Sequence, residues 1–280
     1  MSPEVKVLPN NPTLEGMARF VPNIIFSTMH GVELKMQLMH PWRVNDQRYP
    51  AIVFLQGSGW QSPDVNYQIP QLADYARHGY VVATITHRNF RNGHPAPAFL
   101  QDAKTAIRFL RKHADTFGID PNRICFWGTS SGGNTALLVG MTGDDPRYKT
   151  EEYAEYSDSV QAVVECFGPT DLLRLSHTFD PENTFFNEFC GYNLAKKETI
   201  LHDMSPYCII EKGKAYPPML LIHGDADKLV PYEQSEIMYN KLVEYGYDAQ
   251  LICIKDAPHE HTFWSNAIHQ EILAFIQQKL

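Results

Sequence analysis

The chain has 280 residues, of which 44% are hydrophobic and 20% are charged, and its formal net charge is -8. This composition is ordinary for a globular protein, and the length fits one large α/β domain or two small ones. The acidic balance argues against nucleic acid as a partner, and no stretch approaches the roughly eighteen apolar residues of a membrane span.

Apolar runs and period-two alternation predict seven strands. In chain order they are Val32–Met39, Ala51–Leu55, Val81–Thr86, Ile124–Trp127, Val160–Cys166, Met219–Ile222 and Gln250–Ile254. Helical periodicity predicts Tyr67–His78, Ala98–Phe117, Ser131–Met141, Tyr232–Glu244 and Phe263–Gln278. Because strands alternate with helices of this length, we predict one α/β domain over 1–280, with a mostly parallel sheet covered by helices on both faces.

The segment from Leu172 to Pro218 interrupts this alternation. It is rich in aromatic and charged residues and shows no regular periodicity. Because connections of this length in compact domains are usually lids or binding loops, we predict a cap-like insertion at 172–218. The alternative is a helical excursion that only packs on the core.

The most informative motif is Gly128-Thr129-Ser130-Ser131-Gly132, which follows a predicted strand and precedes a predicted helix. A nucleophilic serine on such a sharp turn needs small residues two positions before and after it. Ser130 meets this requirement, whereas Ser131 has the β-branched Thr129 two positions before it. Ser130 is therefore the nucleophile candidate, and of Ser131 only the backbone N–H is expected to matter.

A serine on this kind of turn is followed in the chain first by its acid and then by its histidine base. Asp225 and Asp227 both follow the buried strand Met219–Ile222, and Asp227 is preferred because Asp225 is expected to hold the turn. His259 and His261 both follow the last strand, and His259, the first of them, is the preferred base. A metal site is not expected, because no HExxH motif and no third ligand accompany these histidines.

A glycine-rich turn, Gln56-Gly57-Ser58-Gly59-Trp60, follows the predicted strand Ala51–Leu55. An oxyanion hole needs two backbone donors, and we predict that Ser131 supplies one and either Ser58 or Gly59 the other. No Gly-Lys-Ser/Thr follows the turn, so a phosphate-binding loop is not expected.

The cysteines bear on whether the thiols are reduced and on the cellular compartment of the protein. There are five, none in a CxxC pair, and three lie in apolar strand-like runs, which favours reduced, buried thiols in a cytoplasmic protein. The first sixteen residues contain prolines and charges and lack an apolar segment, so no signal peptide is expected. Export without a cleaved signal and homo-oligomerisation both stay open.

With these motifs placed, the chain resembles an α/β-hydrolase over roughly Phe20 to Leu280. It is similar to the esterase group that includes hormone-sensitive-lipase-like enzymes and bifunctional acetylxylan/feruloyl esterases. The resemblance rests on the loop 56–60, the stretches 101–104 and 118–124, the elbow 128–133, and the segments 223–231 and 257–259. In that family these motifs mark Ser130 as nucleophile, Asp227 as acid and His259 as base. Gln56 and Ser58 depart from the family's loop, where histidine and glycine stand.

The resemblance implies a serine esterase without cofactors that acts through an acyl-enzyme on short acyl esters, with acetylated carbohydrate (xylan-type) fragments as the favoured substrate. A feruloyl esterase and a serine peptidase or acyl-aminoacyl hydrolase are alternatives on the same fold. A binding protein on an inactive scaffold is disfavoured, because no residue of the triad is missing. Trp60, Phe186 and Trp264 are candidates for substrate stacking, and each is equally compatible with core packing.

Overall fold

The protein is described here from a computed structural model, which covers residues 5–43, 46–179, 182 and 184–280. The strands are β1 Ala18–Ser27, β2 Leu34–Pro41, β3 Tyr49–Leu55, β4 Val81–Ile85, β5 Ile119–Thr129, β6 Ala162–Cys166, β7 Met219–Gly224 and β8 Ala249–Ile254. The helices are α1 Ile69–Arg77, α2 Ala98–Lys112, α3 Ala114–Phe117, α4 Ser131–Met141, α5 Leu172–Phe179, α6 Thr184–Phe189, α7 Lys197–Asp203, α8 Pro206–Ile209, α9 Glu233–Glu244 and α10 Asn266–Lys279. Among the described helices, none combines the length and apolarity needed to cross a membrane.

The described strands form one sheet in the order β1-β2-β4-β3-β5-β6-β7-β8. β2 is antiparallel to both β1 and β4, whereas every pairing from β4 to β8 is parallel. This confirms the predicted mostly parallel sheet. The carboxyl ends of β3, β5, β6, β7 and β8 therefore lie along one edge, where loops from distant parts of the chain meet.

Helices cover both faces of the sheet. Along β3, Ala51, Val53 and Leu55 belong to the buried cluster that contains residues of α2, α4 and α9, while Ile52 and Phe54 belong to the cluster that contains residues of α1 and α10. Successive strand residues alternate between faces, so a strand between two helical layers must be apolar throughout. This is why the parallel strands read as continuous hydrophobic runs.

The sequence prediction missed β1, the edge strand that pairs with β2. Pro22 and Asn23 interrupt its apolar pattern, and the pairing register shifts between Val21 and Ile24 to accommodate them. Asn23 adopts φ 56°, as a bulge at a sheet edge allows.

Two further expectations were wrong in detail. The single helix predicted over Ala98–Phe117 is divided at His113 into α2 and α3. All five cysteines are free, but the thiol of Cys253 on β8 is exposed rather than buried, because β8 lies at the open edge of the sheet.

The described part of the insertion 172–218 contains the four short helices α5 to α8 rather than irregular chain. It is tied to the sheet edge that carries Ser130. The side-chain amide of Asn134, in the first turns of α4, donates to the carbonyls of Pro169 (2.9 Å) and Met204 (3.0 Å). The backbone N–H of Tyr207 donates to the carbonyl of Thr170 (2.9 Å).

Candidate active site

Ser130 lies between the last residue of β5 and the first residue of α4, with φ 52° and ψ -122°. This conformation is costly for a residue with a side chain, and it persists only where the surroundings enforce it. A Cβ atom on Gly128 would lie 2.0 Å from the carbonyl oxygen of Gly132, and one on Gly132 would lie 2.2 Å from that of Leu55. Steric crowding thus explains why glycine stands on both sides of Ser130.

The structure brings the three predicted triad residues together. Ser130 Oγ lies 3.0 Å from His259 Nε2, and His259 Nδ1 lies 2.6 Å from Asp227 Oδ2. The carboxylate can only accept, so Nδ1 carries a proton and Nε2 presents its lone pair to the serine hydroxyl. This is the arrangement of a nucleophile, a base and an orienting acid.

Asp227 is buried in the turn that follows β7 and accepts several hydrogen bonds. Its Oδ1 accepts from the backbone N–H groups of Leu229 (2.8 Å) and Val230 (2.9 Å). Burial pushes the pKa of Asp227 upwards, but hydrogen bonds from His223, His259 and the N–H of Val230 outweigh it and hold that pKa below its usual range. The carboxylate of Asp227 is therefore ionised in the folded protein near neutral pH.

The two alternative residues lie outside the triad. Asp225 is exposed, and its Oδ1 accepts from the backbone N–H of Asp256 at 2.5 Å. It therefore fastens its turn to the loop that carries His259, whereas a bond within its own turn was expected. His261 is exposed and takes no part in the hydrogen bonds between Ser130, His259 and Asp227.

The loop after β3 lies directly on Ser130, since a Cβ on Gly57 would lie 2.5 Å from that of Ser130. Side chains of the elbow hold it there. The N–H of Gly57 donates to Thr129 Oγ1, and the N–H of Ser58 donates to Ser131 Oγ, both at 2.9 Å.

These bonds correct the expected oxyanion hole in two ways. The N–H of Ser58 is already engaged, so Ser58 does not point this donor at a substrate. The side chain of Ser131 is not incidental, because it anchors the loop. Among the described residues no hydrogen bond engages the N–H groups of Gly59 and Ser131. They are the two donors left for a developing oxyanion.

Gln56, which stands in place of the family's loop histidine, has a structural contact of its own. Its Oε1 accepts from the backbone N–H of Asp64 at 2.7 Å. The glutamine thus closes the loop between positions 56 and 64 and fixes the path of the chain that carries Gly59.

A cavity of about 250 Å³ opens beside Ser130. Its lining is mostly apolar and contains no charged side chain; the residues are Ser58, Gly59, Trp60, Gln61, Ser130, Ser131, Pro169, Leu175, Phe185, Phe186, Leu229 and Val230. Leu175, Phe185 and Phe186 come from the insertion 172–218. The insertion therefore forms one wall of the cavity.

Of the three aromatic residues proposed for substrate contact, Trp60 and Phe186 line this cavity. Trp264 does not. Its Nε1 donates to the hydroxyl of Tyr67 (3.0 Å) and to Glu260 Oε2 (3.1 Å), and its ring stacks on His269. These contacts place the indole against α10, outside the lining of the cavity.

Sequence reasoning missed the residues that hold the base. Phe167, with φ 43°, packs its ring edge-to-face on His259 with centroids 4.8 Å apart. Glu260, with φ 67°, accepts a hydrogen bond from the hydroxyl of Tyr67. None of these contacts is local in sequence, so no pattern signals them. Within the described residues, no group of three or more His, Cys, Asp or Glu side chains is arranged to hold a metal ion.

The family model and the relatives that match this chain agree with one another. The BD-FAE family model matches residues 36–242. Esterase LipC of Mycobacterium tuberculosis is 32% identical over 74% of this chain and 52% of its own length. The chain spans about half the length of the curated relatives it matches.

Two solved structures extend the likeness over nearly the whole chain. A truncated carbohydrate esterase from gut microbiota has a TM-score of 0.82 at 25% identity, covering 96% of this chain and 99% of that one. The propionate-bound esterase 2 of Thermogutta terrifontis has a TM-score of 0.74 at 27% identity, covering 96% and 93%. Esterase 2 has also been solved phosphonylated by cyclosarin. With the sheet described above, these matches confirm the α/β-hydrolase fold.

Proposed function

The chain belongs to the BD-FAE family of α/β-hydrolases, and from this membership we propose that it is a serine carboxylic-ester hydrolase that acts through an acyl-enzyme. The observation that carries the proposal is the continuous contact from Ser130 Oγ through His259 to Asp227, at 3.0 and 2.6 Å. The esterases among its relatives support the same reaction class.

In the acylation half, Ser130 Oγ attacks the ester carbonyl while His259 Nε2 takes the hydroxyl proton. The carbonyl oxygen becomes an oxyanion, for which the N–H groups of Ser131 and Gly59 are the free donors. The C–O bond to the alcohol then breaks, and the proton on His259 passes to the leaving alkoxide. The products of this half are the free alcohol and an acyl ester of Ser130.

Deacylation repeats these steps with water. His259 takes a proton from the water, the hydroxide adds to the acyl carbon, and the same two N–H groups face the second oxyanion. Collapse of this intermediate breaks the bond to Ser130 Oγ, which recovers its proton from His259. Asp227 keeps the imidazole in the tautomer that both halves require, and it does not itself gain a proton.

The cavity supports a short, uncharged acyl group. Its volume of about 250 Å³ and its lack of charged lining suit an acyl chain without a carboxylate or an ammonium group. Deacetylation of carbohydrate fragments is the favoured substrate class, supported by the likeness to the gut-microbiota carbohydrate esterase. A cytoplasmic location is part of the proposal, and the five free thiols support it.

The test is the Ser130→Ala variant assayed with p-nitrophenyl acetate. We expect the rate to fall on the order of 10⁶-fold, as for other triads, with an unchanged circular dichroism spectrum. Ser157→Ala is the matched control, since Ser157 precedes β6 at the opposite end of the sheet. Turnover near the wild-type rate in a folded Ser130→Ala variant would exclude the mechanism.

The substrate class is tested on the wild-type enzyme by release of acid from acetylated xylo-oligosaccharides, feruloylated oligosaccharides and aminoacyl anilides. Acetyl release with the highest kcat/KM supports the proposal. Preference for the feruloyl ester or for the anilide would replace the favoured substrate with one of the two alternatives and would leave the triad chemistry in place.

A further inference from the structure

Two fully buried ionisable side chains lie behind the triad without a part in the reaction above. Glu165 is in β6 and His223 is in the neighbouring strand β7, and both are 0% exposed. Ser235, in the first turn of α9 and also 0% exposed, lies between them. Its Oγ is 2.7 Å from His223 Nδ1 and 3.2 Å from Glu165 Oε2.

The other ring nitrogen of His223 faces the catalytic acid. Nε2 lies 3.2 Å from Asp227 Oδ2 and 2.9 Å from the carbonyl oxygen of Val230. Both neighbours are acceptors, so Nε2 must carry a proton. A single carboxylate oxygen, Asp227 Oδ2, therefore stands between the N–H of His259 and the N–H of His223.

The hydrogen bonds that join His223, Ser235 and Glu165 need one more proton than the hydroxyl of Ser235 supplies. The contacts from His223 Nδ1 to Ser235 Oγ and from Ser235 Oγ to Glu165 Oε2 require two hydrogens, and the hydroxyl has one. The second must reside on His223 Nδ1 or on Glu165 Oε2. Without it, two lone pairs would face each other in a site closed to water, which is costly.

The surroundings of Glu165 favour the proton on the carboxyl group. Its Oε1 accepts from the backbone N–H of Gly168. No lysine or arginine is among the groups that act on it, and burial raises the pKa of Glu165 to about 7. Besides Asp227, two titratable groups of the described residues face Glu165 and His223: the thiol of Cys166 on β6 and the phenol of Tyr232, whose ring packs on His223.

We propose that Glu165, Ser235 and His223 form a buried hydrogen-bonded chain that holds one extra proton. This chain positions the carboxylate of Asp227 and fixes the charge of the His223 ring, which Asp227 faces. Protonated Glu165 donates to Ser235, Ser235 donates to His223 Nδ1, and His223 Nε2–H donates to the carbonyl of Val230 and faces Asp227 Oδ2 at 3.2 Å. All three are positioning residues, since none touches the reacting atoms. The role rests on the proposed function, because it acts through the acid of the triad.

The direct test is ¹⁵N NMR of the histidine side chains in the full-length protein, with the His223 signals assigned by their loss in His223→Gln. At pH 6 we expect the neutral Nε2–H tautomer with Nδ1 as an acceptor, and the same spectrum in Glu165→Gln. Between pH 6 and 9 the wild-type Nδ1 signal should shift as Glu165 ionises, while that of Glu165→Gln should not. An Nδ1–H tautomer at pH 6, or equal shifts in both proteins, would overturn the proposal.

Kinetics give a second, independent readout. Ser235→Ala should lower kcat for p-nitrophenyl acetate about tenfold with KM nearly unchanged, as for the loss of one hydrogen bond that orients a charged group. Thr142→Val is the matched control, because Thr142 Oγ1 is a buried hydroxyl that donates to the carbonyl of Leu138 (2.6 Å) and lies just beyond the far end of α4. A kcat for Ser235→Ala equal to that of the control would contradict the chain.

Glu165→Gln keeps a donor towards Ser235 at every pH, so it should match the wild type at pH 6 and exceed it about threefold in kcat at pH 9. A kcat ratio of variant to wild type that does not change with pH would count against the proton on Glu165.

If the wild-type protein shows no turnover that depends on Ser130, the proposed function fails by itself. The NMR comparison then still decides whether the chain of Glu165, Ser235 and His223 holds its proton as described.

Discussion

Replacing Glu165 by glutamine should change how the stability of the protein depends on pH. The side chain is 0% exposed, and burial raises its pKa from the ordinary 4.5 to about 7. Glutamine keeps the shape and the hydrogen bonds of the protonated acid and cannot ionise. The variant therefore removes one buried titration with little change in packing.

The sign follows from which state holds the proton more tightly. Between pH 4.5 and about 7, the folded protein keeps the proton on Glu165 while the unfolded chain has released it. The unfolded state then binds fewer protons, so the free energy of unfolding falls as the pH rises through this window and levels off above it. Each pKa unit is worth about 1.4 kcal/mol, which gives a loss of about 3 kcal/mol in the wild type.

The assay is urea unfolding of the wild type and Glu165→Gln at pH 5, 6, 7 and 8. We expect the variant to gain about 2.5 kcal/mol relative to the wild type between pH 5 and pH 8, since the unfolded chain has already released part of this proton at pH 5. Glu244→Gln, an exposed position at the end of α9, should show no such gain. A difference between wild type and Glu165→Gln that stays constant across this range, or that favours the wild type at high pH, would refute the reasoning.

Four further substitutions test the site itself. Asp227→Asn should lower kcat on the order of 10⁴-fold, because an amide can stabilise the wrong imidazole tautomer, while Asp225→Asn should cost less than tenfold, both measured with p-nitrophenyl acetate. Ser131→Ala removes the acceptor of the Ser58 N–H and should lower kcat about tenfold with KM little changed, since the loop that carries an oxyanion donor loosens. Glu260→Gln replaces a charged acceptor beside the base and should lower kcat about tenfold in steady-state assays.

Each of these predictions can be contradicted by a specific result. A larger loss in Asp225→Asn than in Asp227→Asn would exchange the roles of the two acids. A rise in kcat for Ser131→Ala would mean that the freed Ser58 N–H serves as an oxyanion donor. An unchanged kcat for Glu260→Gln would show that Asp227 and Phe167 suffice to hold His259 in place.

The elements that the sequence predicted well are those with strong local signals. The helix predicted at Ser131–Met141 is observed with the same bounds, and each of the seven predicted strands overlaps an observed one. Strand β1 was missed because Pro22 and Asn23 break its alternation, and its strand structure depends on its pairing with β2. The helices of the insertion were missed because they are short and depend on contacts with α4 and with one another.

Glu165 and His223 are residues whose roles could not be predicted from local sequence patterns. A glutamate inside the apolar run of β6 was a visible signal, and His223 stood in a motif already used for the acid. Neither could be given a role, because their meeting depends on Ser235 in α9, seventy positions after Glu165. The same limit applies to Trp264, whose bonds to Tyr67 and Glu260 decide its orientation.

The sequence by itself determined the α/β architecture and the candidates Ser130, Asp227 and His259, because strand patterning, the glycines of the elbow and the chain order are all local or ordinal properties. Only the tertiary structure decided which N–H groups stay free for an oxyanion, which aromatic rings face the cavity and what stands behind the acid. Those features depend on hydrogen bonds and packing between segments far apart in the chain, and such contacts exist only once the sheet has assembled.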